Sequence, residues 1–213
     1  MKGVEVLGPV VGVEHARILG PCVLGHPAEG VDDAPLVLGA GVTVRAFAVL
    51  YQATTIGAGA HIGHGALVRE RNEIGAGASI GSGAHLEPGN RIGPRCRIHS
   101  GCFLSSSSLG EDVFLGPNVV TTDDPHPPCP RYLDCRGGAV IHDGVSVGAN
   151  ATLMPGVILG ARCLVGAGAV VTRNVEPGDV VAGSPAVVTG RRDEIPCPVG
   201  HFAHAYEWDD ARP

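Results

Sequence analysis

Residues 56–85 read IGAGAHIGHGALVRERNEIGAGASIGSGAH, and this stretch decides the fold. An aliphatic residue opens each group of six, and glycine usually follows it directly. The same spacing continues in both directions without a break, at Leu38, Val44, Leu50, Ile56, Ile62, Val68, Ile74, Ile80, Leu86, Ile92, Ile98 and Leu104. After a slip at residues 105–108 it resumes at Leu109 and Leu115, and a third run covers Ile141, Val147, Leu153, Leu159, Val165 and Val171.

A strict period of six does not suit one continuous element, because a helix repeats every ~3.6 residues and a strand every ~2. It suits short strands joined by tight turns, three strands to a triangular coil, with the aliphatic side chain pointing inward. A small residue four positions later lets the chain turn the corner, and Cys96, Cys102 and Cys163 occupy that slot. The sequence therefore predicts an all-β stack of such coils, in which these thiols are packing residues.

Composition agrees with this fold and narrows the function. The 213 residues suffice for one domain, and 33 glycines with 4% aromatics indicate a core of aliphatic and small side chains. A net charge of −6 without a cluster of Lys and Arg argues against nucleic acid or a membrane surface as a partner. No apolar stretch reaches the ~20 residues of a membrane span, and MKGVEVLGPV lacks the features of a signal peptide. We expect a cytoplasmic protein with reduced thiols.

The spacing also predicts the organisation of the chain. The repeats assign residues 1–192 to one domain, and the looser spacing in residues 1–37 predicts an irregular first coil. The interval from Leu115 to Ile141 is not a multiple of six, so a loop over about 119–139 should leave the stack. Residues 193–213 form a short tail. Because function tends to lie in long loops on rigid scaffolds, the loop is the candidate site.

The sequence resembles the hexapeptide-repeat acyltransferases, whose folds are left-handed parallel β-helices. The resemblance is carried by GPNVVTTDDPHP (116–127), GVSVGANATLMPGVILG (144–160) and GAGAVVTRNVEPGDVVAGSPAVVTGRR (166–192). In sugar O-acetyltransferases a P-N-V segment precedes a His-Pro pair, as Asn118 precedes His126 here. In N-acetyltransferases of nucleotide-linked amino sugars, T-N-D corresponds to residues 122–124, and Tyr stands in place of His126. This chain departs from the family in reading G-S-P-A at 183–186, where G-N-P-A is usual.

The resemblance implies acetyl transfer from acetyl-CoA to an amine or hydroxyl of an amino sugar, nucleotide sugar or similar metabolite. It implies a homotrimer in which a neighbouring subunit completes each site. His126 falls on the position of the general base, and an imidazole suits that role near neutral pH. Asp124 or Asp123 would orient its ring or bind a substrate ammonium group. Asn118 would bind the nucleophile or the thioester region.

The remaining candidate residues fall into two groups. Substrate-binding candidates in the loop are Asp123, Arg131 and Tyr132, although aspartates before a proline are also ordinary turn residues. By resemblance, acetyl-CoA is expected to contact Ala149, Ala167, Arg173 and Arg191, with backbone N–H groups around Gly148 or Gly166 facing the developing oxyanion.

Three alternatives stay open at this point. Cys129 and Cys135, which the family does not require, form H-x2-C-x5-C with His126; zinc uses such ligands, but a fourth is missing, so we expect loop packing and no metal. The fragment IHSGC (98–102) resembles a γ-type carbonic anhydrase, yet the paired histidines expected soon after it are absent. A non-catalytic β-helix scaffold is the third possibility.

Overall fold

The computed structural model describes residues 3–207, which form three sheets wrapped around a triangular prism. Each coil contributes one strand to each sheet, and successive coils pair in parallel. Ile62 lies beside Ile80, and Ile80 lies beside Ile98, so one coil corresponds to three of the six-residue groups. The predicted all-β, left-handed parallel β-helix is confirmed.

The chain visits faces A, B and C of the prism in turn. Face A consists of β1 (Val4–Val6), β4 (Cys22–His26), β7 (Val49–Tyr51), β10 (Leu67–Val68), β13 (His85–Leu86), β16 (Phe103–Leu104), β19 (Val120–Thr121), β22 (Thr152–Leu153) and β25 (Val170–Val171). Face B consists of β2 (Val10–Val11), β5 (Leu36–Leu38), β8 (Thr55–Ile56), β11 (Glu73–Ile74), β14 (Arg91–Ile92), β17 (Ser108–Leu109), β20 (Val140–Ile141) and β23 (Ile158–Leu159). Face C consists of β3 (Arg17–Leu19), β6 (Thr43–Arg45), β9 (His61–Ile62), β12 (Ser79–Ile80), β15 (Arg97–Ile98), β18 (Phe114–Leu115), β21 (Ser146–Val147), β24 (Leu164–Val165), β26 (Asp179–Gly183) and β27 (Ala186–Arg191).

Helical structure is brief. The loop between β19 and β20 carries α1 (Tyr132–Cys135), and 3-10 turns span Val13–His15 and Arg192–Glu194. Among residues 3–207, no helix has the length and apolar character required to cross a bilayer. The last strand, β27, returns antiparallel to β26 and ends the stack. Beyond it the chain packs back on the prism, with the Tyr206 ring 4.0 Å from the Arg192 guanidinium.

The interior follows the six-residue register. Ile62, Ile80, Ile98, Leu153 and Val165 are all buried in one continuous core, as predicted. The three thiols in the small-residue slot are buried with them. Burial raises the pKa of Cys96 to about 11 and that of Cys163 to about 12, as expected for packing residues rather than nucleophiles.

A column of buried polar groups runs along one corner of the prism. Asn90 Nδ2 donates to Asn72 Oδ1 at 3.0 Å, and Asn72 Nδ2 donates to the Glu87 carbonyl, also at 3.0 Å. One coil further on, the Ser107 amide donates to Asn90 Oδ1 at 2.8 Å. Each amide is therefore satisfied by its neighbours, as buried polar groups require.

Several coils differ in length from the regular repeat, including those near the ends of the stack, where Val23 pairs with Val49 and Leu164 pairs with Val180. Two of the irregular coils border the extruded loop. Arg91 pairs with Ser108, one position earlier than the regular register would place its partner, because the corner at residues 105–108 is one residue short. Leu115 pairs with Val147, much further along the chain, because the extruded loop is inserted between them. The coils on either side keep their register, so corners absorb both changes.

The ends of the loop and of the first coil differ from the sequence expectation. Thr121 occupies an inward, fully buried slot beside Leu153, so the chain leaves the prism at residue 122 and returns at the buried Ala139. At the start of the chain, residues 4–19 complete one coil in register with the next, since Val4 pairs with Cys22. Residues 4–37 thus contain more than one coil.

Candidate active site

The extruded loop, residues 122–138, leaves face A and rejoins face B. We call this edge of the prism the AB corner. The loop is fastened there by Asp123, which is only 8% exposed. Its carboxylate accepts hydrogen bonds from Ser106 Oγ at 2.8 Å and from the Tyr132 hydroxyl at 2.7 Å. Its carbonyl accepts from the Gly137 amide at 2.9 Å, which closes the loop at its far end.

Electrostatics favour the charged form of Asp123. Burial raises the pKa of its carboxyl group, but the hydrogen bonds from Tyr132 and Ser106, with the charge of Arg136, outweigh burial and hold the pKa below its usual value. Burial and the hydrogen bond to Asp123 raise the pKa of Tyr132. Two predicted substrate-binding residues are thus engaged with each other, and their contacts anchor the loop.

His126 lies at the exposed tip of the loop, between two prolines. Its side chain is 64% exposed, and its backbone N–H donates to the Asp124 carboxylate at 3.0 Å. Asp124 Oδ1 also lies 3.9 Å from His126 Nδ1. The structure therefore brings together the predicted base and its predicted orienting carboxylate. Arg131, the third substrate-binding candidate, is exposed and paired with Asp134 at 2.9 Å.

Two thiols join His126 at the loop tip. Cys129 Sγ and Cys135 Sγ lie 3.2 Å apart, and one donor atom from each of these three side chains lies within 4.8 Å of the other two. The spacing H-x2-C-x5-C was the signal for this cluster in the sequence. Among residues 3–207, no other group of three His, Cys, Asp or Glu side chains lies close enough to share a metal ion. In particular, no three histidines of this part of the chain come together.

Asn118 lies at a different edge of the prism from His126. It occupies the turn between face C and face A, which we call the CA corner, with a positive φ of 58°. Its side chain donates to Asn150 Oδ1 at 3.2 Å, one coil further on. No hydrogen bond joins Asn118 to His126 within residues 3–207. Strand β19 separates them, which the eight-residue spacing in the sequence did not reveal.

Ala149 and Ala167 also lie at the CA corner, one coil apart. The N–H groups of Gly148 and Gly166, which precede them, already donate to Val165 and Val181 in the ladder. The N–H groups of Ala149 and Ala167 have no hydrogen-bond partner among residues 3–207. The N–H groups without a partner at this edge are therefore those of the two alanines rather than those of the two glycines.

The two candidate arginines lie apart. Arg173 is exposed at the AB corner, two coils beyond the loop. Arg191 ends β27, forms an ion pair with Asp179 and lines a cavity of about 540 Å³ between the last coils and the returning tail. Arg192 and Tyr206 line the same cavity, which the sequence did not predict. The four expected acetyl-CoA contacts are thus distributed over separate parts of one protomer.

Comparison with known proteins finds similarity to transferases with hexapeptide repeats. The model of bacterial transferase hexapeptide repeats (six repeats) matches residues 138–173. The 2,3,4,5-tetrahydropyridine-2,6-dicarboxylate N-acetyltransferase of Staphylococcus aureus (strain bovine RF122 / ET3-1) is 37% identical over 86 residues, which are 40% of this chain and 34% of that protein. The chain therefore spans about a third of the length of that relative.

A solved structure is similar over a longer stretch. A hexapeptide-repeat acetyltransferase from Vibrio cholerae O1 biovar eltor, complexed with acetyl coenzyme A, matches with a TM-score of 0.50 and 28% identity. The match covers 55% of this chain and 69% of the Vibrio chain. In its repeats and its β-helix, the chain is similar to hexapeptide-repeat acetyltransferases over the matched stretches.

Proposed function

We propose that this protein transfers an acetyl group from acetyl-CoA to an amine or hydroxyl of a small metabolite, such as an amino sugar or nucleotide sugar. One observation carries the proposal: an exposed imidazole with a carboxylate at 3.9 Å stands on a loop fastened to a rigid prism. The similarity to acetyltransferases supports the reaction class, and the Vibrio structure supports acetyl-CoA as the donor. The reaction would take place in the cytoplasm.

In this proposal His126 accepts the proton of the attacking amine or hydroxyl. Asp124 positions the ring from the Nδ1 side and favours the imidazolium that forms. Asp123 and Tyr132 hold the loop in place and so position His126. Arg131, which is exposed, can turn away from Asp134 and bind an acidic acceptor. General base catalysis by a positioned side chain is worth about 10²–10⁴ in rate.

Acetyl-CoA would supply a thioester whose carbonyl carbon is open to attack. The residues present fit such a long, phosphate-bearing donor. The amides of Ala149 and Ala167 provide N–H groups that have no hydrogen-bond partner among residues 3–207. Arg173 offers an exposed cation for a phosphate, and Arg191 offers a second if its pair with Asp179 opens.

The separation of these groups supports a homotrimer. His126 and Arg173 lie at the AB corner, whereas Asn118, Ala149 and Ala167 lie at the CA corner of the same prism. In a ring of three prisms, the AB corner of one subunit can face the CA corner of the next. A site built from two subunits would bring the base and the carbonyl-facing amides together.

The test begins with a screen of amino sugars, nucleotide sugars and amine metabolites, in which acetyl-CoA consumption is followed with a thiol-detecting reagent. With the best acceptor, His126→Ala and His126→Asn should each lower kcat about 10²–10⁴-fold and change the acetyl-CoA KM less. The protein should be reduced and then freed of reductant before the assay, which should contain a chelator so that no metal ion binds the His126 ring.

The matched control is His142→Ala. His142 is an exposed histidine at the third corner of the prism, between β20 and β21, and it should be replaceable without loss of kcat. If both His126 variants keep more than about a third of the wild-type kcat, His126 is not the base.

A further inference from the structure

We propose that His126, Cys129 and Cys135 form a Zn²⁺ site in which the protein supplies three ligands and a fourth position stays open. This site goes beyond the proposed acetyl transfer and does not depend on it. The donor atoms of the three side chains lie within 4.8 Å of one another, and the two sulfur atoms are 3.2 Å apart. Ligands around tetrahedral zinc are separated by roughly 3.5 Å, so small side-chain rotations would suffice.

The chemistry of the three donors selects zinc among common metal ions. Two thiolates and one imidazole form a soft, borderline ligand set that suits Zn²⁺ and is poorly matched to Mg²⁺ or Ca²⁺. A set of one His and two Cys with a vacant position is characteristic of zinc sites that bind a water molecule or substrate. Both cysteines are free and partly exposed, whereas Cys22, Cys96, Cys102 and Cys163 are buried in the prism. The loop thus places two thiols and one histidine where an ion can enter.

The loop also holds these ligands in place before any ion binds. The Arg131 amide donates to Cys129 Sγ at 3.3 Å, and such an N–H group would stabilise the thiolate form. Cys135 is the last residue of α1, whose first residue, Tyr132, is fixed by its hydrogen bond to Asp123. The Asp124 carboxylate near His126 Nδ1 is placed to orient the ring, as carboxylates do beside zinc-bound histidines.

Zinc binding would have one consequence for the reaction, and this consequence alone rests on the proposed function. A nitrogen lone pair that is shared with a metal cannot accept a proton from a nucleophile. Zinc and general base catalysis would therefore compete for His126, and zinc should inhibit acetyl transfer reversibly.

The test measures binding directly. The wild-type protein, reduced with a phosphine, is titrated with Zn²⁺ by calorimetry and with Co²⁺ by visible absorption, which reports thiolate ligands. We expect one ion per protomer. His126→Ala, Cys129→Ser and Cys135→Ser should each weaken binding at least about 100-fold. Cys197→Ser is the matched control, because Cys197 is a partly exposed thiol in the tail whose pKa is lowered by backbone N–H groups of Phe202 and Val199.

Two results would overturn the site, and a third observation would then show what the cysteine pair does instead. The reduced wild-type protein fails to bind Zn²⁺, or the Cys129→Ser/Cys135→Ser double variant binds it equally well. If the reduced protein does not bind Zn²⁺ and peptide mapping finds a Cys129–Cys135 disulfide that re-forms in air, the two cysteines are a redox couple. None of these measurements needs an acceptor. Zinc that binds without inhibiting would instead remove His126 from its proposed catalytic role.

Discussion

At the residue scale, Asp123 connects two irregular parts of the chain. The corner at residues 105–108 is one residue short, and it presents Ser106 towards the Asp123 carboxylate. The same carboxylate receives the Tyr132 hydroxyl from the loop. The short corner and the long loop are therefore one structural unit, in which a charged group with two donors holds the candidate site against the prism.

Replacing this charged group should loosen the loop without unfolding the protein. Asp123→Asn keeps the shape of the side chain but removes the charge that strengthens both hydrogen bonds. Hydrogen bonds to charged groups are worth about 1.5–3 kcal/mol, so amide exchange over residues 122–138 should accelerate roughly 10- to 100-fold. Hydrogen–deuterium exchange with mass spectrometry would measure this. Asp134→Asn, which affects only the exposed pair with Arg131, should leave exchange nearly unchanged, and equal protection in both variants would contradict the anchoring role.

The anchor should also depend on pH in a defined direction. Because the pKa of Asp123 is lower in the folded protein than the ordinary value of about 3.9, its contribution is fully present above that value. The contribution is lost as the pH falls below about 4 towards the folded pKa. Cleavage of the loop by pepsin, compared at each pH with Asp123→Asn, should differ near pH 5 and converge at lower pH. A difference that persists unchanged to about pH 2 would contradict this assignment.

The sequence predicted some of these residue contacts but not others. Asp124 and His126 are close because a D-D-P-H segment turns on itself, which is local information. The separation of Asn118 from His126 depends on which edge of the prism each one occupies. That position follows from the strand between them, and spacing along the chain does not report it. The thiol cluster was visible as a spacing, although only the turn at α1 brings Cys135 back to Cys129.

At the element scale, each strand of the regular coils is very short, and stability comes from stacking. A strand such as β12 (Ser79–Ile80) exposes one side chain and buries the other against the coils above and below. The period of six was sufficient to predict nearly every inward position, because each coil repeats the same constraint. It failed at Thr121, where a buried polar residue replaced the expected aliphatic side chain, and the loop start was therefore placed a few residues too early.

Ile80 provides a direct test of this stacking. Ile80→Ala deletes buried methyl and methylene groups from a core that cannot collapse around the gap, so the free energy of unfolding should fall by about 2–5 kcal/mol. Ser79→Ala, on the same strand but facing outward, should change it by less than about 0.5 kcal/mol. Urea unfolding followed by circular dichroism measures both. A loss below about 1 kcal/mol for Ile80→Ala would count against its burial.

At the scale of the whole molecule, the edges of the prism carry different groups. The loop and Arg173 lie at the AB corner, whereas the unpaired amides of Ala149 and Ala167 lie at the CA corner. The sequence analysis grouped these residues by their spacing along the chain, although positions separated by one period of six fall on consecutive sides of the triangle. One subunit therefore presents the two groups of candidate residues at different edges.

A trimer with shared sites makes a measurable prediction. Sedimentation should give three protomers per particle. Mixing His126→Ala with Ala167→Trp, which blocks the amide at the CA corner, should regenerate intact sites when subunits are exchanged by dilution and reassembly. Random assortment at equal amounts should restore about one quarter of the wild-type activity. A stable monomer with full activity would contradict the shared site, as would no recovery from a mixture shown to contain both subunits.

The corners have a consequence for how such a protein can change over evolutionary time. A shortened coil and a coil greatly lengthened by the loop stand in the same stack as the regular coils, and the strands on either side remain paired. Length variation is therefore uncoupled from folding at these points. A gene segment encoding a new loop can be exchanged at one edge while the prism that supports it is inherited unchanged.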